Sequence, residues 1–286
     1  MQPDTPRFTH VAVLGLGVMG GSLARALSEL DDEPHITGWT PDERERSEAA
    51  SIGAIHSSAG SWESAVARAE LIVIATPMSA SLELLRAIPS VALPEAVLTD
   101  VVSLKGPLHE VARDRGLAGR YVGSHPMVGG EGSGFLSSRA DLYRDAPVWI
   151  TADEASQGSG GARDRVIDFW EMLGARPTTT EASEHDRLMA LCSHVPQLTA
   201  NALARVLQDS GVRPHDLGPG GRDMTRLAAS GSGMWTDLFE HSPAEAVQGL
   251  RALGRELDRL ADALEGGDTD VIGARMDRTR AWRDGT

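Results

Sequence analysis

Cysteine and lysine are almost missing from this 286-residue chain: Cys192 and Lys105 each stand alone. One cysteine excludes an intrachain disulfide and a cysteine zinc cluster, so no metal site is expected, and it fits a reducing, cytoplasmic setting. The lysine shortage is explained most simply by a GC-rich codon bias, with arginine carrying the remaining positive charge. Basic residues as a whole are outnumbered, 27 against 41 acidic, for a formal net charge of −14. That balance argues against nucleic acid or an anionic membrane as partner, and any positive charge offered to an anionic ligand must be local. Long apolar runs are absent as well. From the opening MQPDTPRFTH onward, neither a signal peptide nor a membrane-spanning segment is expected. The length suits one large or two ordinary domains with a real core.

Glycine, by contrast, is placed with purpose. His10 to Ser28 reads as a short β-branched run, then Gly15, Gly17 and Gly20, then a helix with Leu23, Ala26 and Leu27 on one face. Strand, G-x-G-x-x-G turn and helix together make a dinucleotide site, where backbone N–H groups and the helix N-terminus receive a pyrophosphate. The acid that ordinarily holds the adenosine ribose, at the end of the second strand, is lacking. Thr40 stands there, with Arg44 and Arg46 beyond it. The missing acid tilts the expectation from NAD toward NADP, whose 2′-phosphate Arg44 or Arg46 could meet. The alternatives are that these arginines lie on the solvated face of a helix over 42–51, and that Asp42 reaches the ribose.

The runs Leu71 to Thr76 and Val97 to Ser103 are apolar throughout, as strands covered on both faces are. Helical patterns over 80–88 and 106–115 alternate with them, which predicts an α/β fold with a doubly wound parallel sheet. Pro147 to Thr151 and Arg176 to Thr180 add two further strands. In such sheets ligands bind beyond the carboxyl ends of the strands. Ser103 and Lys105 end one strand and His125 ends the next, so a hydroxyl, an amine and an imidazole are expected at one rim. His125 precedes Pro126, which keeps it extended, and Gly123, Gly129, Gly130, Gly132 and Gly134 surround it. Asp100, inside its strand, reads as a local hydrogen-bonding residue.

After residue 180 helical patterns dominate, and the domain boundary is placed there: 1–180 for the dinucleotide, 181–286 all-helical. Over 184–207, Leu188, Leu191, Val195, Leu198, Ala202 and Val206 form an apolar stripe, with Pro196 expected to kink the helix. Arg187, Ala190, His194, Gln197 and Asn201 form a polar stripe about 100° away, either solvated or the wall of a polar pocket. Arg222 and Arg226 are one helical turn apart, an anion clamp or a surface pair with Asp223. Ser242, Pro243 and Glu245 read as a capping box opening a long helix, whose Val247, Leu250, Leu253, Leu257, Leu260 and Leu264 face inward for packing or dimerisation.

The stretches GLGVMGGSLARAL, TDVVSLKGPL, VGSHPMVGGEGSG, HDRLMALCSHVPQLTA and GGRDMTRLAASGSGMW, in this order, resemble the prephenate and arogenate dehydrogenases of tyrosine biosynthesis. The resemblance covers nearly the whole chain. It implies a Rossmann-like N-terminal domain, a helical C-terminal domain that forms a homodimer, and oxidative decarboxylation of an anionic cyclohexadienol with hydride transfer to NAD or NADP. His125 is similar to the residue that hydrogen-bonds the ring C4 hydroxyl, and Ser103 to its partner near that hydroxyl and the nicotinamide. His194 is similar to the histidine near the substrate side chain, and Arg226 to the arginine that grips a carboxylate. Gln197 departs from the family, where many members carry histidine. No chorismate mutase segment or regulatory domain is recognised, so a monofunctional enzyme is expected. Prephenate is the expected substrate, with arogenate, a 4-amino-substituted ring or a simple β-hydroxy acid as alternatives. A non-catalytic NAD(P)-sensing dimer is the alternative of another class.

Overall fold

In a computed structural model the described residues are 8–129, 132–156, 161–241 and 244–285. Gly130 and the Ser242–Pro243 start of the long helix lie outside them. The chain divides into two compact units, Met1–Met189 with Gly231–Ser242, and Ala190–Ser230 with Pro243–Thr286.

The first unit is built on an eight-stranded sheet: β1 (His10–Leu14), β2 (His35–Trp39), β3 (Ser57–Ser58), β4 (Leu71–Ile74), β5 (Val97–Asp100), β6 (Tyr121–Pro126), β7 (Pro147–Ala152) and β8 (Arg176–Thr179), in spatial order β3-β2-β1-β4-β5-β6-β7-β8. Helices α1 (Val18–Ser28), α2 (Glu43–Ser51), α3 (Trp62–Val66), α4 (Met78–Ala87), α5 (Gly106–Asp114) and α6 (Ala162–Met172) connect the strands, and α7 (Ala182–Met189) follows β8. Every residue of β4 and β5 is buried, as strands with both faces covered must be. The alternation of β1 divides the core between those faces. Val11 and Val13 pack with Leu23, Leu27, Ile36 and Trp170, whereas Ala12 and Leu14 pack with Ile72, Leu82 and Leu108.

One pairing departs from the all-parallel expectation: β7 runs antiparallel to β6, placing Trp149 opposite His125. The described part of the β6–β7 connection contains only the short 3₁₀ turn Phe135–Ser137. With no crossover helix to carry the chain back, antiparallel return is the pairing available. The two-residue β3 and five-residue α3 were not anticipated, being too short to show a period.

The second unit is helical, with α8 (Val195–Asp209), α9 (Pro219–Thr225), α11 (Ala244–Glu265) and α12 (Thr269–Asp284); α10 (Ser232–Phe239) belongs to the first unit. The single kinked helix expected over 184–207 is instead α7, a π-helical turn at Ala190–His194, and α8 with Pro196 in its first turn. Proline has no N–H to extend a ladder, and the widened turn absorbs the break. It also changes which stripe is covered. Leu191 and Val206 of the expected apolar face are exposed, while His194 and Gln197 of the polar face are 1% and 3% accessible. Of the α11 seam expected to serve packing or dimerisation, Val247, Leu257 and Leu264 are exposed in the single chain, so packing within the chain does not cover them.

Candidate active site

The β1–α1 turn meets the steric demands of a pyrophosphate site. Gly15 has φ +98°, and a Cβ there would lie 2.4 Å from the Ala75 carbonyl oxygen; one on Gly20 would lie 1.8 Å from that of Gly15. Both positions therefore exclude a side chain. Gly17 differs, because a Cβ on it would meet nothing within 4 Å. Open space over Gly17 at the first turn of α1 is what a close-approaching anion needs. Gly15, Gly17, Thr40, Glu45 and Thr76 line a cavity of about 490 Å³.

The end of β2, where an acid for the ribose was looked for, is differently composed from the expectation. Thr40 is buried and its hydroxyl donates to Glu45 Oε2 at 3.2 Å. Asp42 caps α2 by accepting from the Arg44 amide at 2.8 Å, so its carboxylate serves the helix. Arg44 is exposed and is not part of the cavity lining, whereas Arg46 donates to the Thr40 carbonyl. The cavity thus carries an acid after all, Glu45, five positions past Thr40. Its signal was a glutamate in the first turn of α2, visible in the sequence but only one of several acids there.

β1, β4, β5 and β6 are parallel, so their carboxyl ends share one rim with the glycine turn. Half-buried Ser103 follows β5, and half-buried His125 is the next-to-last residue of β6. Lys105, expected at the rim as an amine, is instead completely buried. Its ammonium donates to Asp100 and, at 2.7 Å, to the Ser124 carbonyl. Asp100 also accepts from the Val102 amide at 2.8 Å and the Tyr121 hydroxyl at 2.7 Å, the local role expected of it. Burial pushes the Lys105 ammonium below its ordinary value against the opposing pull of Asp100, and pushes the Tyr121 phenol well above its own. Ser124 ties the network to α6, its hydroxyl 2.8 Å from that of Thr99 and accepting from Trp170 Nε1 at 2.9 Å. The lone lysine holds strand ends together and offers no free amine.

Behind His125 lie two groups that sequence reasoning did not single out. His125 Nδ1 is 2.9 Å from His185 Nε2, and His185 Nδ1 is 2.8 Å from Asp186 Oδ1. Asp186 accepts as well from the backbone amides of Lys105 and Gly106, at 2.9 and 2.8 Å, satisfying the first turn of α5 where that helix has no cap of its own. Burial alone would raise the Asp186 carboxyl, but the hydrogen bonds from His185 and the two amides hold it below the ordinary aspartate range. The sequence signal was the dipeptide His185–Asp186 itself, which stands outside both helical stripes.

The remaining expected site residues belong to the second unit. Gln197 Nε2 donates to Asn201 Oδ1 and to the Leu227 carbonyl, both at 2.8 Å, so Gln197 reaches the 3₁₀ turn Arg226–Ala229. With both amide hydrogens used, Gln197 Oε1 is buried and has no hydrogen-bond partner among the described residues. His194 closes the π-helical turn one helical turn earlier, while Arg226 is exposed.

Two family models match in tandem: prephenate dehydrogenase, nucleotide-binding domain, over residues 23–179, and prephenate dehydrogenase, dimerization domain, over residues 181–278. The chain belongs to the prephenate dehydrogenase family. As a member it is an NAD(P)-dependent dehydrogenase with an NAD-binding domain. Similar relatives include a prephenate dehydrogenase of Bacillus subtilis, 28% identical over 96% of this chain and 75% of the relative. A cyclohexadienyl dehydrogenase of Zymomonas mobilis is 27% identical over 93% of this chain and 92% of the relative. Among solved structures, prephenate dehydrogenase from A. aeolicus in complex with hydroxyphenyl propionate and NAD+ has the same fold, with a TM-score of 0.88 at 24% identity over 98% of this chain and 99% of that one.

Proposed function

We propose that this family member oxidatively decarboxylates prephenate to 4-hydroxyphenylpyruvate in tyrosine biosynthesis, with NAD as hydride acceptor. The observation that carries the reading is the position of His125, a half-buried imidazole on the rim that the glycine turn of β1–α1 also occupies. The bound nicotinamide supplies the hydride acceptor for C4 of the ring. His125 takes the proton of the C4 hydroxyl as that hydride leaves, work suited to a neutral imidazole near physiological pH. When the ring carboxylate departs as carbon dioxide, the ring becomes aromatic and the phenolate oxygen takes the proton back from His125. Ser103 orients the hydroxyl, and Arg226 holds a substrate carboxylate through its guanidinium fork. His194 and Gln197 meet the side chain.

The boundary near residue 180 separates the dinucleotide-binding part from a helical part that pairs with a second copy. The exposed Val247, Leu257, Leu264, Met276 and Trp282 support that pairing. NAD is preferred over the NADP that the missing acid suggested, because Glu45 faces the adenosine end of the cavity and would repel a 2′-phosphate. A second reading, arogenate, has one observation in its favour. The bare, buried Gln197 Oε1 is an acceptor, which a substrate amino group would satisfy and a keto group would not.

Purified protein assayed with prephenate and arogenate, each with NAD and NADP, decides among these. The highest kcat/KM is expected for prephenate with NAD. A preference for arogenate moves the assignment to the second reading, and turnover of simple 3-hydroxy acids alone overturns both.

A further inference from the structure

The proposed base does not stand alone. His125, His185 and Asp186 form a line of three acid–base groups within the first unit, and the direction of each hydrogen bond in it can be worked out. An ionised carboxylate can only accept, and Asp186 is bound as an acceptor on three sides, by His185 and the amides of Lys105 and Gly106. His185 Nδ1 therefore carries a hydrogen. A neutral His185 then has a bare Nε2, so the 2.9 Å contact to His125 requires the hydrogen to sit on His125 Nδ1. What remains on His125 is an Nε2 that carries no hydrogen, the nitrogen able to receive a proton. The ring faces are nearly perpendicular, at 74° with centroids 5.1 Å apart, which suits an in-plane bond from one ring to the other's edge.

His185 has a fully buried side chain, and the uncharged Trp149 of β7 packs edge-on to it with centroids 6.5 Å apart. The ammonium of Lys105, whose backbone amide binds Asp186, is itself bound to Asp100 and the Ser124 carbonyl. Asp186 is therefore the charge that answers His125 when it becomes an imidazolium.

We propose that His185 and Asp186 are positioning residues that hold His125 in its Nδ1–H tautomer, keep Nε2 as the basic nitrogen, and stabilise the positive charge after proton uptake. The same Asp186 ties α7 to the start of α5, just beyond Ser103, so one carboxylate sets both the proton state of His125 and the backbone that follows Ser103. The inference rests on the reading of His125 as base, and the experiment separates the two.

Two-bond ¹H–¹⁵N spectra of the histidine-labelled enzyme report ring tautomers directly. In the unaltered protein at mildly alkaline pH, His125 and His185 are both expected as Nδ1–H tautomers, and a His125 Nε2–H tautomer would overturn the proposal without any variant. In His185→Gln and Asp186→Asn the tautomer of His125 should become mixed. Turnover should fall about tenfold to a hundredfold, part of the roughly 10²–10⁴ that a general base supplies. KM and cofactor affinity should stay within about twofold if the two residues act only through the base. The acid limb of kcat/KM should move to lower pH, because an imidazolium without its anion gives up its proton more readily. Asp186→Asn also weakens the α5 cap, so its melting temperature is measured alongside, and His185→Gln decides if that variant does not fold. Unchanged turnover and pH profile in His185→Gln, with His125→Asn inactive, would overturn the relay and leave the base. Full turnover in His125→Asn would remove the base and the relay together.

Discussion

The two compact units close their interiors in different ways. In the first, β4 and β5 are buried end to end, and even ionisable groups are internal: Lys105, Asp100, His109 and Asp186 lie beneath the surface, each with polar contacts. In the second, α12 has no buried residue, and Leu264 and Trp282 are 68% and 78% accessible. Its ion pairs, such as Arg205–Asp209 and Arg259–Glu256, are exposed and contribute little to stability. The contrast teaches that the first unit holds its polar groups in one arrangement by itself, which acid–base chemistry requires. The second keeps apolar side chains at its surface, the face on which the proposed pairing with a second copy rests.

The comparison can be broken first at His125. If chemistry lies in the first unit, His125→Asn should lower kcat by roughly 10²-fold or more while cofactor still binds, measured by steady-state rates and a cofactor titration. Near-normal turnover would end the assignment. A smaller effect is expected from Arg226→Ala, which should raise KM by about tenfold or more with kcat much less affected, the scale of a lost charge-assisted hydrogen bond. Were KM to stay put, the second unit would have no part in gripping the carboxylate. Leu257→Glu together with Leu264→Glu should shift sedimentation from dimer to monomer, and a dimer that persists would show the exposed seam has another purpose.

The smallest expected effect concerns His109, buried between Thr151 and Asp153. Burial lowers its pKa, against the pull of Asp153. The folded chain therefore keeps it neutral where the unfolded chain, with its ordinary value of 6.5, takes a proton. Its share of stability is full above that value and is lost as pH falls from there through the lowered folded value. His109→Gln should shrink the fall in melting temperature between neutral and mildly acidic pH by a few degrees at most, and an unchanged fall would place the sensitivity elsewhere.

Legibility in the sequence followed the range of the interaction involved. The β1–α1 turn was readable because strand, glycines and helix are contiguous, and His125 because Pro126 beside it dictates extended backbone. Glu45 and the His185–Asp186 pair were not, since their importance depends on Thr40 and His125, which fold toward them from other elements. Lys105 was misread as a rim amine because Asp100, which binds it, lies in the strand before it and shows no sign of its aim. The stripe containing Leu191 was correct as helical periodicity and wrong as burial, and the seam containing Leu257 is helical but not covered within the single chain.

By itself, then, the sequence determined the alternation of strands and helices, the steric demands of the glycine turn, and the residue types at the strand ends, all matters of neighbouring φ/ψ preference and hydrophobic period. Only the tertiary structure decided that β7 returns antiparallel, that Glu45 lines the cavity beside Thr40, and that Asp186 reaches His125 through His185. Those outcomes depend on hydrogen bonds between residues in different elements, and such a bond is directed by where the backbone has brought its two ends.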